Sequence, residues 1–217
     1  MNKERLMEEI KRHEGEVLEI YKDSLGYLTF GVGHLVKEGD AEHGQPEGTP
    51  VSQERVDEVY EEDFKKHVDE TIHLYESKGG SEAGFHSLPE DIQHVLVNMT
   101  FNLGGTRFGK FNNMWKAVLA EDWLKMGEEM EDSRWFHQVG RRSKELQEVV
   151  GKLNQLQMQL GVLETQKHEL LHATAEIQID LQSTRKKLEE EYGNVTISVT
   201  DGIITEKEKE DASNKKD

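Results

Sequence analysis

His13–Leu35 reads HEGEVLEIYKDSLGYLTFGVGHL, which gathers two carboxylates, a hydroxyl and a histidine at one helix end and one hairpin. Upstream, Leu6, Met7 and Ile10 recur at helical spacing, so Glu14 stands at the end of a short amphipathic helix that Gly15 stops. Downstream, Val17 to Lys22 is rich in strand formers, Asp23-Ser24-Leu25-Gly26 is a turn, and Tyr27 to Gly33 returns as a second strand. In that second strand Leu28, Phe30 and Val32 alternate with Tyr27, Thr29, Gly31 and Gly33. The alternation predicts one apolar face and one small, polar face that a bulky ligand can approach.

Cleaving a glycosidic bond needs an acid to protonate the leaving oxygen and a second carboxylate that attacks or orients a water. Glu14, emerging from a helix end among apolar neighbours, is the candidate proton donor, and Asp23, in a polar turn, is the candidate ionised partner. Composition alone does not single them out, since the chain has 44 Asp and Glu and most such groups are solvated surface charges.

HEG followed by YKDSLGYLTFGVGHL resembles the active-site segment of phage-type lysozymes, those of the T-even phages in particular, and the similarity extends over residues 1–145. The resemblance implies an α+β fold of two lobes, a small α/β lobe and a helical lobe with the substrate cleft between them. It implies that Glu14 is the general acid, Asp23 the second catalytic carboxylate and Thr29 the hydroxyl that helps hold the attacking water. His34 matches the family's structural histidine, whose buried carboxylate partner maps to Asp63 in YEEDF. VNMTFNLGG resembles the helix that floors the cleft, placing Phe101 and Asn102 beside the sugar sites, with Leu35 a further substrate contact. SRWFHQVGRR resembles the closing segment of the second lobe, where Arg142 pairs with the catalytic glutamate.

The implied activity is that of an endolysin, hydrolysing the β-1,4 bond between N-acetylmuramic acid and N-acetylglucosamine in bacterial peptidoglycan for host-cell lysis. It needs no cofactor and inverts the anomeric centre. An inverting pair of carboxyls stands roughly 6.5 to 9.5 Å apart and a retaining pair about 5 to 5.5 Å. A lytic transglycosylase is the chemical alternative, and the presence of Asp23 together with Thr29 favours hydrolysis.

Two features depart from the T-even pattern. Residues 1–145 carry 18 Lys and Arg against 30 Asp and Glu, whereas the T-even enzymes are basic. An acidic enzyme facing an anionic wall lacks the long-range attraction that concentrates it on substrate. The second departure is that the chain continues where those relatives finish with a short helix.

The whole chain carries a net charge of −17, which excludes nucleic acid and anionic membrane surfaces as counterion-release partners. It contains no cysteine, so disulfides and thiolate metal sites are excluded. No apolar run has the form of a signal peptide or the length of a membrane span, so the expected location is the host cytoplasm until another factor releases the enzyme to the wall.

Along the chain, KEGDAEHGQPEGTP (37–50) reads as an exposed polar loop without function. Ser52 is an expected N-cap, and Val56, Val59, Tyr60, Phe64, Val68 and Ile72 mark one face of a long helix ending before Gly79-Gly80. Ser87-Leu88-Pro89-Glu90 reads as a capping box, opening a helix with the stripe Ile92, Val95, Leu96, Met99 and Leu103 that Gly104-Gly105 closes. Phe111, Trp115, Leu119, Trp123 and Trp135 recur on short helices as core rather than as sugar platforms. His67, His73, His86 and His94 read as surface or capping groups. His168 and His172 have zinc-compatible spacing but lack a third ligand nearby, so no metal site is expected.

From Leu146 the period becomes heptad. Positions a (146, 153, 160, 167, 174, 181, 188) are Leu, Leu, Leu, Lys, Thr, Leu and Leu, and positions d (149, 156, 163, 170, 177, 184) are Val, Leu, Leu, Leu, Ile and Thr. Such a run predicts a self-associating coiled coil. The expected domains are therefore a catalytic unit (1–145), a coiled-coil helix (146–192), a β-hairpin around Asp201-Gly202 (193–205) and a disordered tail (206–217). Against the free endolysin stands a phage structural or assembly protein in which the coil has the main role. A third reading is that the junction near Leu146 joins two unrelated proteins.

Overall fold

The computed structural model describes residues 1–193, 195–198 and 200–206. The chain divides into two compact units, Met1–Gln157 and Met158–Asp217.

In the first unit, α1 (Lys3–Glu14) begins where the Asn2 side chain accepts from the Arg5 amide at 3.1 Å. It ends at Gly15, whose φ of 80° lets its N–H turn back to the Lys11 carbonyl. Leu6 and Ile10 are buried. Strands β1 (Val17–Lys22), β2 (Leu28–Gly31) and β3 (His34–Leu35) form an antiparallel sheet in that order. Its register sets Tyr21 opposite Thr29 and Thr29 opposite Leu35. Of the face expected to be open, Thr29 (4% exposed) and Gly31 are buried, whereas Tyr27 (58% exposed) and Gly33 at its ends are exposed. Gly31 explains the close fit, because a Cβ there would stand 3.0 Å from a Val56 methyl.

Helix α2 (Gln53–Ser77) is capped by Ser52 as its spacing predicts. Its first turns close a small core of Ile20, Phe30, Val51, Val56 and Val59 against the sheet. Its later turns join a larger core around α4.

Ser87 does not cap α4. It is the last residue of α3 (Glu82–Ser87), a helix the sequence did not signal, and its hydroxyl donates to the Ala83 carbonyl. Helix α4 (Glu90–Leu103) starts directly after Pro89 with no side-chain cap. Every residue from Ile92 to Thr100 is buried, so α4 is the central helix of its lobe rather than an amphipathic one. His94 is accordingly 3% exposed, not a surface group, and burial pushes its pKa down.

The lobe is completed by α5 (Gly105–Phe108), α6 (Asn112–Leu119), α7 (Trp123–Glu131) and α8 (Arg134–Val139), with Trp115, Trp123 and Trp135 buried as expected. Helix α9 (Arg141–Tyr192) runs 52 residues, unbroken at Gly151 and Gly161. Its first turns bury Arg142, Ser143, Leu146 and Val150 in the lobe.

In the second unit, Leu156 in the preceding turn being already 60% exposed, Leu160, Leu163, Leu170, Ile177 and Leu181 of α9 are all more than half exposed. Strands β4 (Val195–Ile197) and β5 (Ile204–Glu206) pair antiparallel as the expected hairpin. Glu206, expected as the first residue of the tail, instead ends β5, and the rest of the expected tail, 207–217, lies outside the described residues. Among the described residues no helix is long and apolar enough to cross a membrane.

Candidate active site

The end of α1 delivers Glu14 to a polar setting rather than the apolar one expected. Its Oε1 accepts from the Arg142 guanidinium, at the start of α9, and from Asn102 Nδ2 of α4 at 3.4 Å. Neither donor is free to swing. Asn102 Oδ1 accepts from the Trp135 indole at 2.8 Å, which fixes which way its amide points. Arg142 is 6% exposed and donates through Nε and Nη2 to the Asn98 side chain and carbonyl at 2.7 and 2.9 Å. Three helices thus converge on one carboxyl oxygen.

Asp23 is positioned by the turn that carries it. Its Oδ1 accepts from the backbone amides of Leu25 and Tyr27 at 2.8 and 2.9 Å, an Asx turn that Gly26 completes at φ 87°. Its Oδ2 has no partner among the described residues. The Tyr27 carbonyl accepts from the Asp23 amide and, at 3.2 Å, from the Thr29 hydroxyl. One peptide unit therefore ties Asp23 and Thr29 together and leaves the Thr29 oxygen its lone pairs.

Tyr21 lies in the field of both carboxylates. Half-buried on β1 and opposite Thr29, its phenol is raised above the usual tyrosine range first by burial, then by the negative charges of Asp23 and Glu14. Both carboxylates therefore bear on one hydroxyl. Leu35, 44% exposed, lies across the sheet from Thr29.

Phe101 is half-buried, edge-on to Tyr60 at 5.9 Å and tilted on His67 at 4.6 Å between ring centroids. Tyr60 donates to the Met7 carbonyl at 2.6 Å, and burial followed by the Glu14 charge raises its pKa. Phe101 thus stands one ring away from the surroundings of Glu14, and His67 is its support rather than a surface group.

His34 and Asp63 pair at 2.6 Å, and Asp40 supplies a second carboxylate on the other ring nitrogen at 3.1 Å. Burial alone would lower the His34 pKa, but the bonds to Asp63 and Asp40 outweigh it and raise the value. For Asp63 and Asp40 burial acts upward and is likewise outweighed: by His34 for Asp63, and by the Lys37 amide and then His34 for Asp40. Asp40 and the buried Glu42, which accepts from Arg55 at 3.2 Å, correct the reading of 37–50 as an exposed loop without a role.

Tyr21, Asn98, Trp135 and Asp40 escaped sequence reasoning. Asn98 carried one usable signal, a carboxamide inside the otherwise apolar run VLVNM, where a buried polar group requires partners.

A family model described as phage lysozyme matches residues 11–151. The chain is similar to "Probable T4-type lysozyme 1" of Dictyostelium discoideum, 30% identical over 159 residues, covering 67% of this chain and 94% of the relative. "Probable T4-type lysozyme 2" of the same organism is 27% identical over 150 residues, covering 64% of this chain and 88% of the relative. "Pre-baseplate central spike protein Gp5" of Enterobacteria phage T4 is 30% identical over 151 residues, which are 64% of this chain but 26% of that protein. The matched residues contain the convergence on Glu14 and the Asp23 turn, and the chain belongs to the phage lysozyme family of glycoside hydrolases.

Proposed function

We propose that the chain hydrolyses the β-1,4 bond between N-acetylmuramic acid and N-acetylglucosamine in bacterial peptidoglycan, with Glu14 as acid and Asp23 and Thr29 as holders of the water. The observation that carries this reading is the division of labour between the two carboxyls. Glu14 is held through one oxygen by Arg142 and Asn102, while Asp23 keeps Oδ2 without a partner among the described residues. In this mechanism Glu14 donates its proton to the leaving oxygen, and Arg142 stabilises the carboxylate left behind. A water donating to Asp23 Oδ2 and Thr29 Oγ1 attacks the anomeric carbon from the opposite face and gives up a proton to Asp23, which inverts the configuration. Phe101 and Leu35 supply apolar surface for the sugar rings.

Glu14→Gln keeps the shape of the side chain and removes the catalytic proton, so wall clearing should fall by at least about a hundredfold with the melting temperature nearly unchanged. Activity within tenfold of wild type would remove Glu14 from its role. Anomer analysis of the first product separates inversion from retention, and anhydro ends would instead identify a transglycosylase.

A second reading concerns where the enzyme works. The matched stretch is a quarter of a central spike protein in one relative, and here α9 carries a seam of exposed leucines beyond the enzyme unit. Both support a lysozyme attached to an assembly through a self-associating coil. Light scattering on the full chain should give a dimer or larger, and a monomer at tens of micromolar would count against it.

A further inference from the structure

Glu14 is one end of a hydrogen-bond chain whose other end is a histidine with no part in the mechanism above. Arg142 reaches Asn98, which is fully buried. Asn98 Nδ2 donates to Glu9 Oε1 at 3.1 Å and meets His13 Nδ1 at 3.3 Å. The His13 side chain is 6% exposed, and its Nε2 lies 3.0 Å from Glu145 Oε2.

Each link in this chain fixes the polarity of the next. A guanidinium only donates, so Asn98 must turn its oxygen to Arg142 and its amino group to Glu9 and His13. His13 Nδ1 must then accept, which puts the ring proton on Nε2, where Glu145 Oε2 at 3.0 Å is the nearer neighbour and Arg12 Nη2, 3.4 Å away, donates at 2.7 Å to that same carboxylate oxygen. Glu145 remains an acceptor across the neutral range, since Arg12, His13 and Arg141 lower its pKa to about 2. A second proton on Nδ1 would set N–H against N–H. Flipping the amide to relieve this would set the Asn98 amino group against Arg142 Nε. The charged groups around His13 are Glu9, Arg12 and Glu14 on α1 and Arg142 and Glu145 on α9, with Arg141 on the other Glu145 oxygen; α4 contributes the neutral Asn98.

We propose that His13 is a positioning residue of the glycosidase: in its Nε2–H form it fixes the Asn98 carboxamide, through that Arg142, and so the Glu14 carboxyl, and a proton on Nδ1 releases the hold. The proposal rests on Glu14 being the acid, as proposed above.

Two substitutions divide the role. His13→Asn can place an oxygen where Nδ1 stands but does not titrate, and His13→Leu fills the space without an acceptor. On soluble peptidoglycan fragments, His13→Leu should lower kcat by about tenfold with KM within about twofold, as expected when a reacting group is misplaced rather than the substrate lost. His13→Asn should recover most of that loss. Ring 15N signals of the full wild-type chain should show the Nε2–H form, and the wild-type kcat should fall as NMR shows His13 taking up its second proton. That step should be missing from His13→Asn. An Nδ1–H form overturns the proposal, as does a wild-type kcat that passes unmoved through the His13 titration. Equal losses in both variants with the wild-type pH profile intact would mark His13 as merely structural, which overturns it too. If His13→Leu fails to fold, the wild-type titration and His13→Asn still decide. Glu14→Gln measured alongside separates the two failures: an active amide removes Glu14 as acid, whereas the His13 tautomer is read without any activity.

Discussion

His34 divides its two ring nitrogens between Asp63 and Asp40, and the proton balance of that triad ties stability to pH. The raised His34 pKa gives a contribution fully present below the ordinary histidine value of about 6.5 and lost as pH rises through the folded value. The depressed Asp63 and Asp40 values give contributions present above the ordinary carboxylate value of about 4 and lost as pH falls through the folded ones. All three therefore act together between about pH 4 and 6.5. His34→Asn should cost about 1–3 kcal/mol in that window and progressively less at alkaline pH. Urea titrations at several pH values check this, and a loss independent of pH would dismiss the triad as the cause. Of its members, His34 and Asp63 were legible only through the resemblance of their segments to the phage-lysozyme pattern, which implied the pair. Asp40 was not, because a carboxylate in a run of polar and turn-forming residues looks the same whether it faces water or an imidazole. Asn98 and Trp135 were hidden differently, since their apolar surroundings read as packing and their polar atoms act only through Arg142 and Asn102.

At the scale of elements, α1, the hairpin, α2 and α9 announced themselves through periodicity and caps. Helix α3 did not, being a single short turn-and-a-half whose buried side chain is Phe85 alone. The misread start of α4 has the same root: Ser-x-x-Glu is a capping box only if the serine is outside a helix, and Ser87 is inside one. The start of α9 shows the limit of heptad reading. Leu146 belongs to the a series, yet it is 1% exposed within the lobe, and Val150, an e position, is fully buried beside it. A chain stopped after Glu145 therefore loses two core side chains, each worth about 2–5 kcal/mol when a leucine-sized group is removed. A chain stopped after Gln157 keeps both. Thermal melts should place the longer truncation near the full chain and the shorter one well below it, and equal melting temperatures would mean that the first turns of α9 add nothing to the lobe.

Over the whole molecule, with bacterial peptidoglycan as the proposed substrate, the net charge of −17 sets how the enzyme meets a wall that is itself anionic. Repulsion between the two is felt over about 30 Å at 0.01 M salt and about 8 Å at 0.15 M. Wall clearing should therefore rise as salt is added over that range, the reverse of the behaviour of a basic lysozyme. A steady fall with salt would mean that positive groups near the active site outweigh the overall field.

Arg142 meets Glu14 across 128 positions of sequence. A ribosome makes the chain from the N-terminus, so Glu14, Asp23 and Thr29 all emerge long before the arginine that holds Glu14. Closing so large a loop is among the most entropically costly contacts in the unit and is expected late in folding. The α1 end and the sheet can form early with their chemistry unassembled, and a chain broken off before residue 142 carries both carboxylates but lacks the guanidinium that holds Glu14. If Glu14 acts as proposed, wall-cleaving activity should therefore appear only once the lobe is complete.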